Sequence, residues 1–562
     1  MTPLDELHSA DKYLANTHQV ENQPPELENY NLFTQDKALT EAVTREGGDW
    51  ALDELSDFGE QVGRAEYLEL GFQANENRPV LHSHDRFGHR IDRVKYHPAY
   101  HQLMKTAIEN GIHSSPWTEP KPGAHVARSA KFYLQSQAEA AHCCPITMTF
   151  ASIPSLRAQP ELAKLWEPLI TARHYQPENI AYTEKQGLTI GMAMTEKQGG
   201  SDVRANTTKA FPVAQPGSGQ AYELLGHKYF VSAPMCDAFL VLAQAPGGLS
   251  CFLLPRWRPD GSKNPMQVMR LKDKMGNVAN ASSETELRGA LAWMVGEEGR
   301  GVKTIIEMVS LTRFDCMAGS SAGQRLALAH ALHHCHHRAA FGAKLARQPL
   351  MQNVLADLAL EQEGSLAFTM RMARALDNQQ DESEKLLMRL GTAVGKYWIC
   401  KRTPNHAYEA MECIGGSGVM ETSIFARLFR ESPVNAIWEG SGNVQCLDVL
   451  RALSKSPATL DVFFEEVELA KGASRALDLF SEKLKQEFIS PDNFEYRART
   501  IIDRLALALQ ASLLVRAGNS EVSDLFCASR LGEGVGYNYG TLPKQGDCAA
   551  IIERARPELI SG

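Results

Sequence analysis

Between residues 191 and 296 the chain changes its grammar. AYELLGHKYFVS, AFLVLAQA, LSCFLLPRW and MQVMRLKD are short runs, several alternating, separated by QPGSG and APGG. Short alternating runs between Gly and Pro clusters read as strands and turns. On either side the period is helical. ALTEAVTREG and AKFYLQSQAEAAH place small and apolar residues three and four apart before the switch. SSAGQRLALAHALHHCHHRAAF, LMQNVLADLALEQEGSLAFTMRMARALD and ESEKLLMRLGTAVGKYWICKR do so after it. A chain with two such switches cannot be one sheet or one bundle. It predicts helices, a compact β domain, then antiparallel helices of a bundle.

At 562 residues, three or four domains of roughly 100–200 residues each are expected. The boundaries read as an N-terminal arm (1–35), an N-terminal helical domain (36–190), a middle β domain (191–296), a C-terminal helical bundle (297–453) and a helical extension (454–562). With 43% apolar and 22% charged residues the composition is that of a soluble globular protein. No apolar run approaches the ~20 residues that span a bilayer. MTPLDELHSADKY carries acids and no apolar core, so neither a signal nor a transit peptide is read there. Eleven cysteines without a CxxC point to reduced thiols and a cytoplasmic protein. A formal charge of −9 argues against global attraction to nucleic acid.

Four segments bring together residue types that can carry chemistry. MTEKQGGSDV (194–203) offers the hydroxyls of Thr195 and Ser201, with Gly199 and Gly200 allowing close backbone approach to a planar or phosphate-bearing ligand; the alternative is a plain inter-domain turn. GHKYFVSAP (226–234) offers Phe230 for stacking and Ser232 for hydrogen bonding, or else an ordinary core strand. In RAAFG, Arg338 can hold a phosphate by a forked contact, or sit solvated at a helix end. In NAIWEGSGN (435–443), Glu439 lies between Trp438 and Gly440, as a base in a cofactor pocket or as a solvated loop acid. HALHHCHHR sets His330, His334 and His337 on one helical face. No carboxylate or second cysteine is fixed beside them, so a surface or subunit-contact cluster is expected rather than a metal site.

Taken together, MTEKQGGSD, GHKYFVS, RAAFG, IGGSG and IWEGS occur in the order and layout of the acyl-CoA dehydrogenase family, and residues 36–453 resemble it. The family reads M-T-E-x-x-x-G-S-D, G-x-K-x-[WYF]-[IV]-[TS], R-x-x-F-G, G-G-x-G and [IV]-[YW]-E-G-[TS]. EKQGG, EGSGN, CPITMTFA, RLKDKMGN, LTRFDC and PVNAIWEGSGNVQCLDVLR resemble its alkylation-response (AidB) branch more specifically, as does the extension after 453.

The resemblance implies an α+β multi-domain fold with a central β-barrel, a C-terminal four-helix bundle and an extra helical region. It implies FAD as cofactor, an acyl-CoA substrate and a homotetramer, with no membrane attachment. Carried onto this sequence, Met194 and Thr195 lie against the flavin, with Gly200 in the same loop, and Ser201 contacts the pyrophosphate. Phe230 takes the aromatic slot beside the ring, Val231 is among the cofactor-binding residues, and Ser232 lies near the flavin N5. Arg338, Phe341 and Gln348 reach FAD from a neighbouring subunit, joined by Gly416. Trp438 flanks the isoalloxazine, and Ser441 and Asn443 contact the adenosine half. Glu439 takes the place of the base. The stretch MVSLTRFD, where other branches carry the base, offers Thr312 and no Glu. The branch also implies a second reading, a flavin-containing protein that binds double-stranded DNA, protects it from alkylation and keeps a weak or vestigial dehydrogenase site. Arg451 matches an arginine implicated there, with Arg497, Arg499 and Arg504 as neighbours. Against it, residues 451–562 carry 14 Lys and Arg against 16 Asp and Glu, a net −2, and LGEGVGYNYG carries an acid where the branch has an arginine, Arg530 being the closest cation.

Overall fold

The computed structural model describes residues 18–489, 492–532, 536–544 and 546–559. The helical segment expected after the arm opens with α1 (Lys37–Arg45), capped by Asp36, whose carboxylate accepts from the Leu39 amide at 3.1 Å. Leu39, Ala42 and Val43 form its buried stripe. Next come α2 (Leu52–Val62) and α3 (Ala65–Glu76). An antiparallel hairpin, β1 (Val80–His84) and β2 (Arg90–Lys95), then interrupts what the sequence presents as mostly helical. Its strands are largely part-exposed and polar, so they carry no clear alternation, and only the Asp-Arg-Phe-Gly turn marks them. The helices resume with α4 (Pro98–Glu109), α5 (Ala124–Ala138), α6 (Cys143–Arg157) and α7 (Pro160–Ile170). Every residue of α5 is buried, which is why its sequence shows no polar face.

The β domain holds β3 (Ile190–Ala193), β4 (Lys209–Pro212), β5 (Ala221–Ser232), β6 (Ala238–Ala245), β7 (Gly248–Pro255), β8 (Met266–Leu271) and β9 (Ser282–Val295). The pairings β6–β4, β4–β5, β5–β9, β9–β7 and β7–β6 close a ring, with β3 on β6 and β8 on β9. Closure removes free edges and makes this a small barrel.

A 37-residue helix, α8 (Gly301–His337), leaves the barrel and becomes the spine of the bundle, with α9 (Pro349–Asp377), α10 (Glu382–Ile414) and α11 (Gly442–Lys455). Between α8 and α9 lies a two-stranded hairpin (β10 Ala339–Ala340, β11 Ala343–Lys344). The molecule has two apolar cores. Ile305, Met308 and Leu311 of α8 belong to the barrel core, and Phe314, Met317 and Ala318 to the helical core. Helix α6 is divided likewise, Cys143 and Ile146 facing one core and Cys144 and Met148 the other. Thr312 and Arg313 therefore sit at the seam. Beside them Asp315 is held by Arg128, whose Nη2 donates to Oδ2 at 2.7 Å in full burial.

The extension adds α12 (Ala458–Glu468), α13 (Arg475–Gln486), α14 (Phe494–Ala517), α15 (Ser520–Arg530) and α16 (Cys548–Ala555). It is joined to the bundle by ion pairs. Arg371 donates to both Glu466 oxygens at 2.8 Å and to Glu384, and Arg516 also reaches Glu466. Arg554 spans Glu363 and Glu41. All eleven cysteines are free thiols. Among the described residues no helix is long and apolar enough to cross a membrane.

Candidate active site

The chain between the short helix Val434–Ile437 and α11 makes a tight turn at the seam. Glu439 adopts φ +58° and Gly440 φ +99°. A non-glycine residue in the left-handed region costs of order 1 kcal/mol and persists only where its surroundings impose it. Here they do. Lys396 of α10, almost fully buried, donates from Nζ to the carbonyls of Trp438 (2.7 Å) and Gly440 (2.5 Å). Arg313 Nε donates to the carbonyl of Glu439 at 2.8 Å, and Gln445 Nε2 to those of Glu439 (3.1 Å) and Gly440 (2.9 Å). At Gly440 a Cβ would come within 2.7 Å of Gln445 Nε2 and 2.9 Å of Val444, so glycine is required there on both counts.

The Glu439 side chain is half-buried, and its Oε2 accepts from Thr312 Oγ1 at 3.0 Å. Burial raises its pKa above the ordinary carboxyl range, against the opposing pull of the Thr312 hydroxyl, Arg313 and Lys396. Trp438 packs against the barrel core and donates from Nε1 to Asn435 at 2.8 Å. Across the seam Ser232 ends β5, its hydroxyl 3.2 Å from that of Ser282 on β9. Lys274 donates to Ser282 Oγ at 3.0 Å and to the Asn280 carbonyl at 2.7 Å. Cys144 lies between these groups, close enough for Ser232, Lys274 and Glu439 all to act on its thiol, which burial pushes up to about 12. Val231 is buried in the barrel, while Phe230 is 46% exposed beside the Lys272 ammonium.

The segment 194–203 forms a separate cradle. Its Glu196 is a structural acid. Fully buried, it accepts from Lys228 Nζ (2.9 Å), the Thr207 and Thr208 amides and Thr207 Oγ1. Lys228 is the lysine of GHKYFVS, so one buried ion pair ties together two segments that the sequence offers separately. With Glu196 turned inward, the hydroxyls of Thr195 and Ser201 and the amides of Gly200 and Ser201 have no hydrogen-bond partner among the described residues. A Cβ on Gly200 would meet Thr195 Oγ1 at 2.6 Å. Met194, partly buried, leans on the barrel core, its carbonyl accepting from Asn206.

Arg338, Phe341 and Gln348 lie elsewhere. Arg338 caps the far end of the helix that carries Thr312, 26 residues beyond it and about 39 Å along the axis. It donates to the Asn22 carbonyl at 2.8 Å. Phe341 is fully exposed at φ +51° on the tip of the β10–β11 hairpin, and Gln348 donates to Ala340 at 2.8 Å. Gly416 is exposed with open space around it. Ser441 caps α11 in extended conformation, and Asn443 accepts from Arg499 of the extension at 2.9 Å.

The arginines of the DNA reading are mostly engaged within the chain, Arg499 by Asn443. Arg451 is 63% exposed, 3.6 Å from Asp448, which also binds Arg313 and Arg389. Arg497 and Arg504 both pair with Glu487, and Arg530 is turned inward onto Asp357. Glu533, the acid of the Gly-rich segment, lies outside the described residues. The histidines do not share an open face. His330 packs edge-on to Phe425, His334 is buried, and His337 Nδ1 is 2.8 Å from the His333 carbonyl. Among the described residues no group of three His, Cys, Asp or Glu side chains is placed to hold a metal ion.

Sequence reasoning passed over Lys396. The signal was available: a lysine inside TAVGKYWIC with no acid three or four residues away on a helix has nothing local to pair with.

Three family models match in order: the adaptive response protein AidB N-terminal domain over 22–177, the acyl-CoA dehydrogenase middle domain over 191–290 and the acyl-CoA dehydrogenase C-terminal domain over 299–454. AidB of Escherichia coli (strain K12) is 46% identical over 513 residues, 91% of this chain and 94% of that protein. The crystal structure of Caenorhabditis elegans ACDH-11 in complex with C11-CoA superposes with a TM-score of 0.84 at 26% identity, covering 92% of this chain and 95% of that one. The fold alone is shared with an acyl-CoA dehydrogenase from Bacillus anthracis complexed with FAD, at a TM-score of 0.64 and 18% identity over 88% of this chain and 86% of that one. The chain belongs to the acyl-CoA dehydrogenase family, in the AidB branch.

Proposed function

We propose that the protein is an FAD-dependent acyl-CoA dehydrogenase that forms an α,β double bond in an acyl-CoA thioester, with Glu439 as the base. The observation that carries this reading is the Glu439 carboxyl, raised in pKa by burial, presented from a strained turn at the seam between barrel and bundle. A carboxylate so placed accepts a proton more readily than one in water, as removal of a weakly acidic α-proton requires.

The residues fit a flavin dinucleotide. The unpartnered hydroxyls and amides at Thr195, Gly200 and Ser201 suit a phosphate or a polar ring edge. Phe230 and Trp438 offer aromatic faces, and Ser232 a hydroxyl. In this reading Ser441 and Asn443 take the adenosine end, with Asn443 oriented by Arg499. Arg338, Phe341, Gln348 and Gly416 serve the site of another subunit. A separation of about 39 Å along one helix supports that assignment, since one chain cannot bring Arg338 to its own Glu439. The exposed Phe341 supports an assembly that covers it, and a homotetramer is the expected form.

When bound, the flavin supplies the two-electron acceptor that this chain's side chains lack. The protein's own part is proton chemistry and shape. Glu439 takes the α-proton as the C–H electron pair moves toward the thioester carbonyl. Thr312 holds the carboxylate in position until then, and Trp438 and the barrel wall exclude water.

Double-stranded DNA as a partner is supported by one observation, the exposure of Arg451. The internal pairing of Arg497, Arg504 and Arg530 weighs against it, because phosphate binding needs clustered free cations. Loss of duplex retention on Arg451→Glu at low salt would favour it.

The direct test is Glu439→Gln in flavin-loaded protein. Anaerobic flavin bleaching by acyl-CoAs is expected to fall by about 10²–10⁴-fold. Unchanged bleaching removes Glu439 as the base.

A further inference from the structure

The turn that presents Glu439 is built asymmetrically. Its three consecutive carbonyls, at Trp438, Glu439 and Gly440, all accept from buried or half-buried donors on the bundle side. The amides of Glu439, Gly440 and Ser441 have no hydrogen-bond partner among the described residues. In a trans peptide N–H and C=O point in opposite directions, and the structure has no cis peptide bond among the described residues. The Glu439 and Ser441 N–H groups therefore point away from Lys396. Successive N–H groups of a turn form a concave donor set that favours negative charge.

Lys396 is the distinctive element. Its ammonium is almost fully buried and, among the described residues, takes part in no ion pair and bonds only carbonyl oxygens. A buried cation without a carboxylate is costly unless its charge is used. By bonding the Trp438 carbonyl it polarises the peptide whose N–H belongs to Glu439, and by bonding the Gly440 carbonyl it polarises the peptide whose N–H belongs to Ser441. A peptide accepting at oxygen donates more strongly at nitrogen.

We propose that Lys396 is a positioning residue that makes the base-bearing turn an anion-stabilising donor set. One buried ammonium fixes the left-handed turn and strengthens the amides that meet the thioester oxygen as the α-proton leaves. This rests on the acyl-CoA dehydrogenase reading above. In the step concerned the α-C–H bond breaks, the proton goes to Glu439 and the electron pair is delocalised onto the thioester oxygen. Preorganised donors aimed at developing charge are worth more than their ground-state bonds.

The test isolates that step from flavin reduction. The probe is 3-thiaoctanoyl-CoA, whose sulfur at the β-position prevents hydride loss, with exchange of its α-protons for deuterium followed by NMR on flavin-loaded protein. Lys396→Gln keeps a donor and removes the charge. Read on the alkaline plateau of the pH profile, where Glu439 is ionised in both proteins, it is expected to slow exchange at least tenfold, while the probe's Kd changes less than threefold and the flavin content stays at the wild-type level. Lys396→Arg is expected to recover at least a third of the wild-type rate. Exchange in Lys396→Gln within twofold of wild type overturns the proposal. So does a Lys396→Arg protein that binds flavin and probe normally yet exchanges no faster than Lys396→Gln. If Lys396→Gln fails to hold flavin, the Lys396→Arg rate decides alone: recovery supports a charge requirement, and a tenfold loss contradicts it. A wild-type protein that exchanges no α-proton and is bleached by no acyl-CoA would refute the dehydrogenase reading itself.

Discussion

The segments 194–203 and 435–443 look alike in sequence and end in opposite states. Each carries one glutamate among small residues, and each is served by a buried lysine from another element. At Glu196 the lysine binds the carboxylate itself. Lys228 and the amide donors hold the acid well below the usual carboxyl range against the burial that would raise it. At Glu439 the lysine binds the carbonyls on either side, so the carboxylate is hydrogen-bonded by a threonine hydroxyl and feels Lys396 and Arg313 only through space; burial prevails and the acid is raised. The same pair of residue types yields a structural anion in one place and a poised base in the other. What decides is which oxygen the ammonium reaches.

Breaking the first pair should affect stability most. Glu196 and Lys228 are both buried, and Glu196→Ala leaves an uncompensated ammonium, so a loss of about 3–5 kcal/mol is expected in denaturant unfolding. Glu439→Gln, by contrast, should stay within about 1 kcal/mol of wild type, because a half-buried carboxyl loses one hydrogen bond at most. Equal losses would erase the distinction.

Thr312→Val sharpens the comparison at the base. The Thr312 hydroxyl lowers the Glu439 pKa, so its removal raises it further. The base works ionised, and the acid limb of the pH–rate profile should therefore move to higher pH. The rate should fall roughly five- to tenfold at pH 6 and less at pH 8. A limb that stays in place or moves to lower pH separates Thr312 from the base.

A smaller effect belongs to Glu431, near the same seam, which burial raises from 4.5 to about 7. The folded state then holds its proton more tightly than the unfolded chain. The stability it contributes is fully present below about pH 4.5 and is lost as pH rises through about 7. Glu431→Gln should flatten that part of the stability profile between pH 5 and pH 8. An unchanged slope would assign the pH dependence to other groups.

Much of the fold was legible because periodicity survives wherever an element has one buried face. The alternation of AYELLGHKYFVS and the stripe in KALTEAVTR are of this kind. The hairpin Val80–Lys95 was not, since polar, part-exposed strands carry no such contrast. At the site, Glu439, Thr195 and Ser232 could be singled out from local segments. The donors that shape the turn could not, because Lys396, Arg313 and Gln445 come from three helices and their meeting depends on packing. The acids that pair with Arg497, Arg504 and Arg530 were not legible either, because Glu487 and Asp357 meet them only through helix packing.

The account stands or falls on flavin bleaching. Protein reconstituted with FAD, mixed anaerobically with acyl-CoAs of graded chain length, should lose its oxidised-flavin absorbance with at least one of them, and Glu439→Gln should do so about 10²–10⁴-fold more slowly. Protein that cannot be loaded with flavin, or a Glu439→Gln variant that bleaches at the wild-type rate, would contradict it.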